Sequence, residues 1–174
     1  GLSVRAKFVL LTVLATGIAL ALHFGLLLES IYLPFVGKIP IGIWYVPIAV
    51  FTIVATANAV NLTDGLDTLA GGTAALAFAA YGVIAFMQEQ TFLSMFSFTL
   101  VGALLGFLWF NAHPAGVFMG DTGSLALGAT LAVIAMMTGH WLLLPLVGVV
   151  FVAEEVSVIL QVGYFKLTKG KRIF

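Results

Sequence analysis

Long apolar segments separated by short polar stretches run along the whole chain. A helix that crosses a bilayer needs about 20 mostly apolar residues, and several segments approach or exceed that length. These segments are residues 8–28, 41–57, 69–88, 92–110, 124–138 and 141–165. The fifth is short, so we expect it to start in the preceding glycine-rich turn, and the last is long enough to tilt or break. The pattern predicts an all-α fold, a polytopic transmembrane bundle of about six spans.

The composition agrees with this prediction. Only 8% of the 174 residues are charged and 62% are apolar, whereas a soluble domain has about 25% charged residues. The formal net charge is zero, so no nucleic-acid partner is indicated. The absence of cysteine excludes disulfides and thiolate metal sites. Because the chain starts at Gly1 and stops inside a basic run, we interpret residues 1–174 as one transmembrane domain from within a longer protein.

Basic residues predict the orientation of the spans, because Lys and Arg favour the cytoplasmic ends of membrane helices. Six spans place both termini on one side, and that side holds every Lys and Arg of the chain except Lys38. The internal loops on the same side, residues 58–68 and 111–123, contain all the aspartates, which are Asp64, Asp67 and Asp121. Acidic residues have little effect on topology, so a shared cytoplasmic site is the simplest explanation.

The first of these loops contains NLTDGLD, Asn61 to Asp67. Thr63 or Asp64 could be the N-cap of the next helix, with Asp67 one turn in. Capping alone does not need two aspartates, an asparagine and a glycine. As residues i and i+3, Asp64 and Asp67 would share a helix face, and adjacent carboxylates repel unless a cation or donor lies between them. The loop therefore predicts either a helix start or a site for Mg²⁺ or a polar ligand.

The second loop contains NAHPAGVFMGDTGSLALG, residues 111–128. Pro114 ends the preceding helix, and Gly120, Asp121 and Ser124 begin the next one. A helix start flanked by glycine offers free backbone N–H groups to a phosphate, and Asp121 could hold a hard cation beside it. The alternative is an ordinary helix cap at Asp121 or Ser124, with glycines for a tight turn.

Polar and aromatic residues around these loops extend the candidate site. Phe118 is either a packing or membrane-interface residue or, beside a phosphate site, a stacking partner for a nucleobase. We interpret His113 as a loop residue with local hydrogen bonds. Glu154, Ser157 and Gln161 fall on one helix stripe. An interhelical polar contact is the favoured interpretation for Ser157, and the lining of a wet cavity for Glu154 and Gln161.

Phosphoryl transfer needs a divalent cation and hydrogen-bond donors to position the reacting groups. It fits the residues of this membrane face, which offers carboxylates, amides, basic side chains and a helix start that can bind phosphate. The same stretches resemble a known family. NAVNLTDGLDTLAGG, NAHPAGVFMGDTGSLALG and SVILQVGYFKLTKGKRIF closely resemble the phospho-N-acetylmuramoyl-pentapeptide transferase family, of the glycosyltransferase family 4 type. This family belongs to the polyprenyl-phosphate N-acetylhexosamine phosphate transferase superfamily, and the similarity runs in order along essentially the whole chain.

The resemblance implies a ten-helix, multi-pass enzyme of the bacterial inner membrane with a cytoplasmic active site. It implies transfer of phospho-MurNAc-pentapeptide from UDP-MurNAc-pentapeptide to undecaprenyl phosphate, which gives lipid I and UMP in peptidoglycan synthesis. Mg²⁺ is the implied cofactor, the lipid bilayer is the implied surroundings, and a homodimer is compatible with the family. The resemblance further implies catalytic roles for Asp64 and Asp121, with Asp121 as the metal ligand. The residues that it implies for substrate binding are Asn61, Asp67, Asn111, Phe118 (stacked on uracil), Gly120, Ser124 and Gln161.

The chain also departs from the family pattern. It has no adjacent aspartate pair, and the family's first three helices, the histidine cluster after the basic segment and the last helix would be missing. We therefore expect a piece that covers about the fourth to ninth helices of the family fold and is inactive alone. The nearest alternative is a sister transferase that uses UDP-N-acetylglucosamine. A non-enzymatic transporter or Mg²⁺ channel is a further alternative, and it predicts carboxylates at mid-membrane depth or on both faces.

Overall fold

The computed structural model describes residues 3–33 and 36–168, and helices make up most of both ranges. The elements are α1 Val4–Leu20, β1 Ser30–Leu33, β2 Gly37–Pro40, α2 Tyr45–Thr63, α3 Leu69–Met87, α4 Thr91–Asn111, α5 Gly120–Met137, α6 Leu144–Val147 and α7 Val149–Leu167. Helix α1 continues into a π-helical turn at Ala21–Gly25, and short 3-10 turns at Gly42–Trp44 and Trp141–Leu143 precede α2 and α6.

The predicted membrane bundle is confirmed. Within the two described ranges, five helices are long and apolar enough to cross a membrane, and α6 with α7 makes a sixth if the bent pair is one span. Large apolar side chains are exposed along these helices, including Phe92 at 90% and Trp109 at 83%. Exposed apolar surface on this scale is rare on a soluble monomer but suits helices in contact with lipid.

Helices α2 and α5 pack with their backbones in close contact. A Cβ atom added at Gly128 would lie 2.6 Å from the Cα of Ala57, so only glycine fits at this crossing. Ala49, Ala57 and Ala132 are also fully buried. Small residues allow such close approach between membrane helices, where dispersion contacts replace the hydrophobic effect as the main attraction. The contact brings the C-terminal end of α2 beside the N-terminal end of α5.

The helix boundaries around the first polar loop differ from the prediction. Helix α2 runs on to Thr63, Asp64 is its C-cap residue, and Thr68 is the N-cap of α3. The expectation that Thr63 or Asp64 caps the following helix was therefore wrong. Asp64 and Asp67 do not share a helix face, because both lie in the turn between α2 and α3.

Two expectations about the later spans are confirmed. Helix α5 starts at Gly120, in the glycine-rich turn before the fifth apolar segment, but Met119 is its N-cap, so neither Asp121 nor Ser124 is a cap. The last apolar segment breaks at Gly148, where α6 and α7 meet at a bend of 78°. The antiparallel hairpin β1–β2, which pairs Ser30 with Pro40, was not predicted.

Candidate functional site

A polar pocket of ≈ 240 Å³ lies where the end of α2 meets the start of α5. It contains all the site residues predicted from the sequence except Ser124 and Gln161. The residues that line it are Asn61, Asp64, Gly65, Leu66, Asp67, Asn111, Phe118, Gly120 and Asp121. The two polar loops, which are far apart in sequence, therefore form one site at one end of the bundle.

Asn61 connects α2 to the first turn of α5. Its side-chain amide donates to Ser124 Oγ at 2.8 Å and to Asp121 Oδ1 at 3.3 Å. The Ser124 hydroxyl donates in turn to the carbonyl oxygen of Gly120 at 3.0 Å. Ser124 is fully buried, so it lies beneath the pocket and holds its floor in place.

Asp121 lies in the first turn of α5, where the positive end of the helix dipole favours a carboxylate. Its Oδ2 accepts from Nζ of Lys7, which comes from α1, and the two side chains form an ion pair. The Lys7 side chain is 42% exposed and that of Asp121 is 51% exposed. The sequence placed Lys7 among the basic residues of the same predicted membrane face, but it did not single out Lys7 as a partner of Asp121.

Asp64 lies at the C-terminal end of a helix, as the C-cap residue of α2, whereas Asp121 lies at a helix N-terminus. Partial burial raises the pKa of its carboxyl, and the nearby Asp121 carboxylate raises it further. A hydrogen bond from the Gly120 backbone N–H acts in the other direction, but burial is the larger effect. Asp64 therefore holds its proton more readily than an ordinary aspartate, and a cation close to it would be favoured.

Asp67 ties the turn after α2 to the loop before α5. Its Oδ2 lies 2.9 Å from Nδ1 of His113 and accepts from the backbone N–H of Ala115 at 3.2 Å. The hydrogen bond with His113 is the main cause that lowers the pKa of this carboxyl, and the Ala115 N–H adds to it. His113 is a loop residue, as expected, but the expectation of local hydrogen bonds for it was wrong, because its partner Asp67 lies 46 positions away in the other polar loop.

Asn111 forms a second bracket between the same two loops. Its Oδ1 accepts from the backbone N–H of Thr68 at 2.9 Å, and its Nδ2 donates to the carbonyl oxygen of Val117 at 2.8 Å. Asn111 is buried, so both ends of its amide are used to position backbone. Thr68 has a φ of 67°, a strained conformation for a β-branched residue, and the Asn111 contact helps to hold it there.

The remaining predicted residues differ in their relation to the pocket. Phe118 stands at the rim and is 75% exposed, so its ring is accessible to a planar ligand. Gln161 is not brought to the pocket, because it lies on α7 beyond the bend and donates to Ser157 Oγ at 3.0 Å. Lys166 lies in the last turn of α7. The predicted basic end, Lys169, Lys171 and Arg172, lies outside the described residues.

The donor set fits a hard divalent cation that binds together with a phosphate ligand. Across residues 3–33 and 36–168, no three His, Cys, Asp or Glu side chains gather as a self-sufficient metal site. Mg²⁺ does not need one, because it usually binds through one or two carboxylates, several waters and substrate phosphates. Asp64 and Asp121 border the same pocket and influence each other electrostatically, which supplies that pair of carboxylates.

Fold and site together define a polytopic membrane protein with a carboxylate- and amide-lined pocket at one end of its helix bundle. Comparison with known proteins gives the family: the Glycosyl transferase family 4 pattern matches residues 1–139. The chain belongs to this family, and the resemblance found in its motifs is confirmed.

Individual relatives are similar over the whole chain. It is 54% identical over 186 residues to the phospho-N-acetylmuramoyl-pentapeptide-transferase of Chloroflexus aurantiacus. The proteins of the same name from Listeria monocytogenes and Listeria welshimeri are 49% and 48% identical over 175 residues. The alignments cover 100% of this chain but 51% of the Chloroflexus protein and 54% of each Listeria protein. The chain thus spans about half the length of the curated relatives it matches.

Proposed function

We propose that the intact protein transfers phospho-MurNAc-pentapeptide from UDP-MurNAc-pentapeptide to undecaprenyl phosphate, with lipid I and UMP as products. The observation that carries this proposal is the polar pocket, which places Asp64 and Asp121 side by side at one end of a membrane bundle. The name shared by the Chloroflexus and Listeria relatives supports phospho-MurNAc-pentapeptide as the group that is transferred. This reaction belongs to bacterial peptidoglycan synthesis.

Mg²⁺ is the proposed cofactor, with Asp121 as its ligand and Asp64 as a second carboxylate. When bound, the ion would neutralise phosphate oxygens and orient the reacting groups. Asn61 holds Asp121 in place through its amide. Met119 offers no side-chain cap to the first turn of α5, so backbone N–H groups at this helix start remain for a phosphate.

The rim of the pocket suits the uridine part of the donor. Phe118 exposes an aromatic face on which uracil can stack, and stacking on an aromatic side chain tolerates any planar base. Asp67 and Asn111 hold the loop that carries Phe118, through Ala115 and Val117 respectively. Their proposed contribution to nucleoside binding is therefore chiefly to fix the position of this loop.

The apolar surroundings suit a lipid acceptor. A groove of ≈ 410 Å³ runs between α1 and α5 and shares Asp121 with the polar pocket. A second groove of ≈ 350 Å³ lies between α2 and the α6–α7 bend. A prenyl chain in the first groove would bring its phosphate to the carboxylates. With the predicted orientation, the pocket faces the cytoplasm of a bacterium, where the nucleotide donor is available.

The test is lipid I formation by the intact protein with Asp121→Asn, which keeps the size of the side chain but removes its charge. We expect turnover to fall by at least about 100-fold, because the site loses the negative charge that would hold Mg²⁺, and the ion in turn stabilises the reacting phosphates. Glu29→Gln, beside the hairpin at the other end of the bundle, is the matched control and should leave turnover unchanged. Near-normal turnover of Asp121→Asn at limiting Mg²⁺ would reject the proposed role.

The donor is tested separately from the mechanism. Product from UDP-MurNAc-pentapeptide and none from UDP-N-acetylglucosamine is the expected result. The opposite preference would assign the protein to the sister transferases and leave the role of Asp121 intact.

A further inference from the structure

The ion pair between Lys7 and Asp121 lies at the point where the proposed metal ligand faces the pocket. Lys7 comes from α1 and Asp121 from the first turn of α5, so the pair joins two separate spans. Both residues line the groove between these helices, and Asp121 also lines the polar pocket. The Asp121 carboxylate therefore pairs with the Lys7 ammonium and also lines the site where a divalent cation would bind.

The other two aspartates of the pocket have different surroundings. Asp67 is engaged by His113 and by the Ala115 N–H. Within residues 3–33 and 36–168, Asp64 forms no ion pair, and its neighbours are the Gly120 N–H and Asp121. Lys7 is thus the one described ammonium that neutralises a carboxylate of the pocket, and it neutralises the proposed metal ligand.

We propose that Lys7 is a resident counter-ion of Asp121 that competes with Mg²⁺, so that the ion binds more weakly to the free site than it does once the diphosphate substrate is present. This inference rests on the proposed function in taking Mg²⁺ as the cofactor. A monovalent ammonium and a divalent ion repel each other at one carboxylate. A diphosphate adds negative charge to the pocket and can accommodate both cations, so the competition ends when the nucleotide arrives.

The structure makes this exchange easy. Each side chain of the pair is about half exposed, and exposed ion pairs of this kind change an equilibrium by no more than about fivefold. Lysine also carries its charge on a flexible four-carbon stem, so the ammonium can leave the carboxylate without any movement of α1. Because binding couplings are reciprocal, the factor by which Lys7 weakens Mg²⁺ binding equals the factor by which Mg²⁺ weakens the ion pair.

The experiment measures Mg²⁺ binding to the intact protein in detergent by calorimetry, without nucleotide. Lys7→Met should tighten Mg²⁺ binding about two- to fivefold, because the competing charge is gone. Lys7→Arg keeps the charge and should bind Mg²⁺ as weakly as the unmodified protein. Arg5→Met, one half-turn away on the same helix, is the matched control for net charge and should change the dissociation constant little. Addition of UDP should abolish the difference between Lys7→Met and the unmodified protein.

Unchanged or weaker Mg²⁺ binding by Lys7→Met would overturn the inference, and so would equal tightening by Arg5→Met. Thermal unfolding verifies that each variant is folded, and Lys7→Gln replaces Lys7→Met if the latter is not. The measurement does not depend on lipid I formation. If the protein lacks transferase activity but Lys7→Met still tightens Mg²⁺ binding, the inference about Lys7 stands and the proposed function is rejected. If the protein is active but Mg²⁺ binding does not change, the proposed function stands and the inference about Lys7 is rejected.

Discussion

Replacement of Gly128 by alanine tests whether the close contact between α2 and α5 sets the geometry of the pocket. The added Cβ would lie 2.6 Å from Ala57 Cα and 2.6 Å from the carbonyl oxygen of Thr56. Both obstacles are backbone atoms, so no side-chain rotation can relieve the clash. Contacts between carbon atoms are most favourable at about 3.5–4.0 Å, so α5 must move away from α2 by roughly 1 Å.

The expected loss of turnover in Gly128→Ala follows from the position of Ser124, one helical turn before Gly128. Overpacking of this kind costs about 1–3 kcal/mol of stability. Ser124 is four residues before Gly128 and accepts the 2.8 Å hydrogen bond from Asn61. A shift of roughly 1 Å would lengthen the 3.3 Å contact between Asn61 and Asp121 beyond hydrogen-bonding distance. Misplacement on this scale lowers turnover by about 100-fold.

The assay pairs lipid I formation with thermal unfolding in detergent. Gly102→Ala, in α4, is the matched control, because a Cβ there meets no atom within 4 Å. It should keep full turnover and gain up to about 1 kcal/mol in stability from the better helix propensity of alanine. Combination of Gly128→Ala with Ala57→Gly should not restore activity, because the obstacle is Cα and the removed atom is Cβ.

Two results would refute this reasoning. Normal turnover with an unchanged unfolding temperature for Gly128→Ala would show that the helix contact does not position the site. Recovery of activity in the double variant would show that side-chain volume, and not backbone contact, limits the approach of the two helices.

Three further predictions concern the pocket and its orientation. Phe118→Ala should raise KM for UDP-MurNAc-pentapeptide by about tenfold and leave KM for undecaprenyl phosphate nearly unchanged; equal effects on both would contradict base stacking. The lowered folded-state pKa of Asp67 means that its stabilising contribution is complete above about pH 4 and is lost as the pH falls through that pKa. The unfolding temperature of Asp67→Asn should therefore change less between about pH 6 and pH 3 than that of the unmodified protein, and parallel curves would exclude this contribution. A cysteine at Leu66 should react with a membrane-impermeant reagent only from the cytoplasm, and one at Lys38 only from outside; the reverse pattern would invert the orientation.

The sequence predicted the fold well because the bilayer imposes a fixed helix length. Apolar runs of about that length give the number of spans and their approximate positions, and the Lys and Arg distribution then assigns the loops of residues 58–68 and 111–123 to one side. The meeting of Asn61, Asp67 and Asp121 in one pocket follows from this grouping. The motif resemblance selected the same residues independently of the topology.

The helix ends at the site could not be predicted in this way, because polar residues there are satisfied within the helix. Asn58 donates to the carbonyl oxygen of Val54 at 2.8 Å, and Thr63 donates to that of Ala59 at 2.9 Å. These bonds allow α2 to continue through residues that look like a loop by polarity. Helix periodicity carries no such information about side-chain partners.

Contacts between distant parts of the chain were the second feature that could not be predicted from the sequence. Lys7 and Asp121 are 114 positions apart, and only the packing of α1 against the rest of the bundle brings them together. The 78° bend at Gly148 likewise turns α7 and places Gln161 away from the pocket, although its residue type fits a polar site. Neither the direction of a bend nor the pairing of spans is encoded in hydropathy.

The bracket formed by Asn111 affects how freely the site can vary in sequence. Its side-chain amide forms hydrogen bonds with the N–H of Thr68 and the carbonyl oxygen of Val117, and almost any residue would supply these backbone groups at those positions. Thr68 could even become asparagine or glycine, which adopt its left-handed conformation more easily. Asn111 itself has no equivalent, since aspartate lacks the donor and leucine lacks both groups. Mutation can therefore remodel the surface that this pocket presents to the proposed donor substrate, while the single buried amide of Asn111 holds the two loops in position.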